Sequence, residues 1–292
     1  MSVDKLQARI RKLKNPSVID MTATPDMIPG WLLEQEGGFL PAYERFCLDI
    51  LEKLKPIVPA VRFQLGYFSL YGQAGTALLE RLLRVAAKMG YYIILDVPES
   101  PSESVAADSA KWLFANGSEY VFDAILTGAY SGSDVLKPYV EYLSNAGKAI
   151  FVVTRTANKS AVEFQDLLTG TRLAHMAVAD MVWRLGQPFI QRCGYSQIAC
   201  VAAASSAASV QAIRGKHQQV FLLLDGYDYP NSNAKNCSYA FDKLGHGAAA
   251  CANAGVLRAW AQENCCAEDY AEEAYRAAER MKKNLCRYIT VL

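Results

Sequence analysis

Charged side chains fall at or just beyond the ends of short apolar runs. Asp20 closes SVID, Arg62 and Gln64 lie in AVRFQ, Asp96 closes YYIILD, and Asp225 and Asp228 lie in LLLDGYD. Carboxylates and a guanidinium brought together in this way can hold a hydrogen-bonding or charged ligand, or hold and move protons. Asp20 and Asp96 have two readings of equal weight: groups that contact a ligand, or acids that accept from loop amides. For Arg62 the plainer reading is an ion pair with Asp96, without chemistry attached. Glu99, Glu103, Asp225 and Asp228 make the rim of such a site acidic, which is either a solvated loop face or a preference for a cationic or neutral ligand. Asn158 and Gln165 either contact a ligand or cap their own loop. Tyr67, Phe68, Tyr71, Tyr227 and Tyr229 are expected to pack and to anchor loops.

Other chemistries find little support. The sequence has no His-Glu-x-x-His, no Walker loop and no Gly-x-Ser-x-Gly. Its three histidines, at 175, 217 and 246, are far apart, and His175 falls in a helical stretch. None of the eight cysteines forms a Cys-x-x-Cys pair, and they read as free thiols, mostly buried as small apolar groups.

The elements that must position the charged residues follow from apolar periodicity. Strands are expected at 17–21, 60–65, 91–97, 120–126, 149–154, 197–202, 220–224 and 237–241. Amphipathic helices are expected at 43–54, 76–89, 104–114, 134–146, 162–185, 206–214 and 247–262. The strands are nearly continuous apolar runs, as required when helices cover the outside of a parallel sheet. Strict alternation with eight strands predicts a single-domain (β/α)8 TIM barrel, with its core over about 15–262. A doubly wound sheet is the alternative, but no Gly-x-Gly-x-x-Gly follows the first strand. Residues 266–288 read as a final surface helix, acidic at its start and basic at its end.

Read in barrel order, several segments resemble the orotidine 5'-monophosphate decarboxylase family, in particular its longer bacterial branch. They are VRFQLGYFSLYG ending at Gly72, Asp123-Ala124 through Asp134, Arg155-Thr156-Ala157-Asn158, and Phe164-Gln165-Asp166, and the resemblance covers most of residues 15–245. It implies cofactor-free decarboxylation of a pyrimidine nucleotide by an array of the form Lys … Asp-x-Lys-x-x-Asp, in a homodimer whose last aspartate reaches the neighbouring site. At the catalytic positions so implied the chain has Arg62 and Asp96, then Pro98 for the proton-donating lysine and Pro101 for the second aspartate. Proline has no proton to give, and an arginine stays protonated. The substrate-binding positions implied are Asp20, Gln64, Thr156, Asn158, Gly226 and Lys243, with Lys243 standing for an arginine after strand 8. Ala157 replaces the serine that touches the pyrimidine, and the phosphate loop after strand 7 reads Asp225-Gly226-Tyr227-Asp228-Tyr229-Pro230. Two aspartates beside a dianion oppose phosphate binding.

Composition bounds the remaining classes. With 292 residues, 52% apolar residues and a net charge of +1, the chain can build a large core and has no charge excess to attract nucleic acid or an anionic membrane. Its first residues lack an apolar signal segment and no stretch is long enough to span a bilayer, which predicts a cytoplasmic protein. The expected function is that of a catalytically impaired family member that binds a small molecule, as a homodimer or paired with a catalytic relative, with no cofactor and no metal. The alternatives are an active decarboxylase of pyrimidine biosynthesis, or different barrel chemistry at Asp96, Glu99 and Asp225.

Overall fold

Aliphatic side chains that are buried on both faces of a strand leave it no solvent edge, and the chain meets that demand by closing its sheet. A computed structural model describes residues 2–114, 118–262 and 265–292. The barrel strands are β1 (Ser17–Asp20), β2 (Ala60–Gln64), β3 (Tyr92–Asp96), β4 (Ala124–Thr127), β5 (Ala149–Val153), β6 (Ile198–Ala203), β7 (Leu222–Asp225) and β8 (Ala248–Ala252). Each pairs in parallel with its neighbours, and β1 closes the barrel by pairing with both β2 and β8. Helices alternate with the strands and cover the outside. The helix Phe39–Leu54 turns Phe46, Ile50 and Leu54 inward at helical spacing, and Gly72–Met89 does the same with Leu78, Leu79, Leu82 and Leu83.

The first helix, Ser2–Leu13, caps the barrel floor. Ser2 Oγ donates to the Asp123 carbonyl at 2.8 Å and Arg9 Nε to that of Pro59 at 2.8 Å, while Gln7 Oε1 accepts the Gly247 N–H at 3.0 Å. Those partners immediately precede β4, β2 and β8, so the chain's beginning covers the N-terminal face and the C-terminal face stays open. The last helix is Tyr270–Cys286, packed on Phe39–Leu54 and joined to it by Lys53–Glu272 at 2.7 Å.

Three expectations need correction. The eighth strand is not 237–241: Cys237 lies in the helix Ala234–Ser238, whose start is capped when Asn233 Oδ1 accepts the Asn236 N–H. The strand is Ala248–Ala252, an Ala/Cys run of low strand propensity that full burial on both faces holds extended. The helix expected at 247–262 is therefore a strand, a short helix Ala254–Leu257 and a turn of 3-10 helix at Ala259–Ala261. The helix expected at 162–185 divides into Ala161–Phe164, a two-stranded antiparallel hairpin (Leu168–Thr169 with Arg172–Leu173) and the helix Ala174–Gly186.

Candidate functional site

Three aspartates end odd-numbered strands at the open face: Asp20 on β1, Asp96 on β3 and Asp225 on β7. Arg62, in β2 and 7% exposed, lies between two of them. Its Nε and Nη2 donate to Asp20 Oδ2 at 3.1 and 2.7 Å, and its Nη1 to Asp225 Oδ1 at 3.0 Å. Gln64 Nε2 adds a third donor to Asp20 Oδ2 at 2.6 Å, and Asp20 Oδ1 accepts the Thr22 N–H at 3.0 Å. Burial works against the charge on Arg62, yet Asp20 foremost, with Cys251 and Asp225, holds its pKa well above the usual value. Beside it in the barrel, burial pushes the Cys251 thiol well up, so it stays protonated.

The expected Arg62–Asp96 ion pair is absent, because the guanidinium's fork faces β1 and β7. Asp96 meets no hydrogen-bond donor among the described residues. Burial raises its pKa to about 7; the charge on Arg62 only partly offsets this, and Asp20 and Asp225 add to the rise.

Asp20, Arg62 and Asp225, but not Asp96, open into a cavity of about 150 Å3. Asp20, Gln64 and Gly226 line it, with Arg62, Asp225 and Asp228. Gly226 has φ +71°, and a Cβ there would come within 3.0 Å of Ala157 Cβ and 3.1 Å of the Tyr229 ring, so this turn requires glycine. Tyr67 and Tyr229 form aromatic wall, and Tyr67 also donates to the Ala23 carbonyl at 3.0 Å.

Other expected residues lie elsewhere. Thr156 and Asn158 do not line the cavity. The Thr156 N–H donates to Gln165 Oε1 at 2.7 Å, Gln165 Nε2 donates back to Thr156 Oγ1 at 2.9 Å, and the Thr156 hydroxyl donates to Asn158. Arg155 braces this loop through Asp166 at 2.9 Å, and His175 Nδ1 meets both Asp166 and the Gln165 carbonyl. Lys243 precedes β8 and so lies on the closed face, which corrects its placement after strand 8; the misplaced strand caused the error. The arginine that follows β8 is Arg258, an exposed side chain that faces Asp26 at 3.6 Å. Pro98 packs beside Gly66, and Glu99 accepts the Ser131 N–H at 2.8 Å, bracing the turn after β4. Among the described residues no three His, Cys, Asp or Glu side chains gather as metal ligands, so Asp96, Glu99 and Asp225 do not form such a group.

Sequence reasoning missed Asn253. Its Nδ2 donates to the carbonyls of Asp20 and Thr22 at 2.9 and 2.8 Å, tying β8 to the end of β1. Only a correctly placed β8 would have shown it at a strand end. Thr22, Thr24 and Met27, beyond β1, also line the cavity without having been singled out.

Comparison with known proteins agrees with this architecture. The chain is 25% identical over 287 residues to the orotidine 5'-phosphate decarboxylase of Petrotoga mobilis, with 98% of each chain covered. It is 26% identical over 286 residues to that of Clostridium novyi, again with 98% of each covered. The chain is similar over nearly its whole length to orotidine 5'-phosphate decarboxylases. The crystal structure of the Plasmodium berghei orotidine 5'-monophosphate decarboxylase superposes with a TM-score of 0.75 at 16% identity, covering 97% of this chain and 98% of that one, which establishes the shared barrel. No family model matches the chain. Among the described residues no helix is long and apolar enough to cross a membrane.

Proposed function

We propose that this chain, similar to the orotidine 5'-phosphate decarboxylases, binds a small molecule at its barrel mouth without decarboxylating the nucleotide. The observation that carries this reading is the charge arrangement of the cavity. Among the described residues Arg62 is the one cation that lines it and is held by two carboxylates, and no lysine lines it. A carbanion formed there would have no ammonium group to stabilise and protonate it, and the preorganised positive charge such a step requires is already neutralised. Pro98, at the position the resemblance gives to the proton donor, adds to the same conclusion. The protein is proposed to act in the cytoplasm and to pair as a homodimer through the face that carries the mouth; pairing with a catalytic relative is the other assembly.

One observation favours an active decarboxylase instead. Asp96, raised to about 7, is part protonated at neutral pH and has a proton to give at the open face. Incubating purified protein with orotidine 5'-monophosphate and following the loss of ultraviolet absorbance separates the two. The expected result is no turnover above background at high protein concentration. Turnover that Asp96→Ala abolishes would establish the decarboxylase and make Asp96 its proton donor.

A further inference from the structure

The loop after β7 places a carboxylate where a barrel commonly receives an anion. Oδ2 of Asp228 accepts the N–H groups of Asn253 at 3.0 Å and Gly255 at 2.7 Å, just beyond β8. In (β/α)8 barrels the loops after strands 7 and 8, with the amides of the short helix that follows, frequently bind phosphate. Here those amides are occupied by the chain's own negative charge. The fit is close: a Cβ on Gly255 would lie 2.8 Å from Asp228 Cβ, so the approach of this carboxylate requires glycine there. A phosphate approaching this corner would meet Asp225 and Asp228 together, and Arg62 already serves two carboxylates.

A second observation concerns what the cavity lacks. Thr22 Oγ1 and Asp228 Oδ1 belong to residues of its wall, are shut off from solvent, and meet no hydrogen-bond partner among the described residues. A donor on a guest cannot reach atoms sealed from water, so the acceptor that the cavity offers is the partly exposed carboxylate of Asp225. Arg62 takes Asp225 Oδ1, and among the described residues no donor meets Asp225 Oδ2. The cavity, about 150 Å3, takes one ring of a small molecule and leaves the remainder at its open mouth.

We propose that Asp228 is a resident anion in the phosphate corner, and that it makes the mouth select a small unphosphorylated molecule whose N–H or O–H groups donate to Asp225. This rests on the reading that the mouth binds without decarboxylating, and it names the class of molecule bound. Asp228 is thus a specificity-determining residue: it holds the amides that a phosphate would need and repels the phosphate's charge.

Uridine and uridine 5'-monophosphate differ only by the phosphate, so titration calorimetry with this pair and with inorganic phosphate tests the proposal on the full chain. The wild type is expected to bind uridine at least about tenfold more tightly than the nucleotide, a factor that corresponds to one decade in Kd. In Asp228→Ala and Asp228→Asn the ratio is expected to move by about tenfold or more toward the nucleotide, with inorganic phosphate now competing. Asp228→Asn keeps an acceptor for both amides, so it stays informative if Asp228→Ala fails to fold. Equal or tighter binding of the nucleotide by the wild type would overturn the proposal. So would an unmoved ratio in the folded Asn variant, or no binding of any of the three probes to wild type and variants alike. Decarboxylation by the wild type would overturn the earlier reading, whereas an unmoved ratio without decarboxylation would overturn this one alone.

Discussion

Removing the Arg62 guanidinium would leave Asp20, 1% exposed, with only Gln64 and the Thr22 amide as partners. Breaking a buried ion pair from one side costs about 3–5 kcal/mol, because the remaining charge is uncompensated. Arg62→Met is therefore expected to lower stability by about that much in urea unfolding, and adding Asp20→Asn should restore part of the loss. Restoration shows that the orphaned charge was the cause; its absence would assign the loss to packing of the arginine's stem. Asp96 gives a second test, through pH. Its carboxyl titrates near 3.8 when unfolded and at about 7 when folded, so the native state binds the proton more tightly. The stability it contributes is complete below pH 4 and is lost as pH rises through about 7. Asp96→Asn cannot ionise, so it should be more stable than the wild type above pH 7, on the order of 2 kcal/mol after allowing for partial solvent exposure. The gap should close toward pH 4, and a gap independent of pH would exclude a raised Asp96.

At the scale of the element, the connection after β5 is held more by side chains than by a core. Arg155, Asp166, His175 and Gln165 bind one another, while Leu168 and Thr169 of its hairpin are exposed. Asp166→Asn should raise amide hydrogen exchange across 156–173 and leave the barrel strands protected, since local opening need not involve the core. Uniform loss of protection would mean that this loop supports the whole fold. β8 behaves in the opposite way, because Ala248, Ala249 and Ala250 are fully buried and small by necessity. Ala250→Leu is expected to cost about 1–3 kcal/mol by overpacking, measured by denaturant midpoint. The same strand shows where the sequence ceases to be readable. Runs such as AVRF, YIIL and AIFVV declare themselves as buried strands by their aliphatic side chains. AAACA carries no such signal, and its extended state follows from the closing of the barrel. Losing β8 moved Lys243 to the wrong face and hid Asn253. Asp20, Gln64 and Gly226 were legible because their strands were. The partners of Arg62 were not, since a guanidinium between three carboxylates chooses by distance across strands, which sequence spacing does not encode.

For the whole molecule, the open face carries more than the cavity. Val162, Phe164, Leu167, Leu168 and Leu173, in the connection that follows β5, are between 36% and 70% exposed. Phe164 is anchored against Tyr130, at 5.4 Å between ring centroids, so this apolar rim is held in place beside the mouth. Exposed apolar side chains grouped along one connection suit an association site. The proposed homodimer would bury it and bring two mouths close together. Sedimentation equilibrium of the wild type is then expected to give a dimer. Phe164→Asp and Leu168→Asp should each weaken association by about tenfold or more, since a charge would be carried into an apolar contact. Circular dichroism of the separated monomer should be unchanged, because both side chains lie outside the core. A wild type that sediments as a monomer at the highest soluble concentration would remove the dimer. A dimer indifferent to both substitutions would move its interface away from the β5 connection, and the mouths would then act independently.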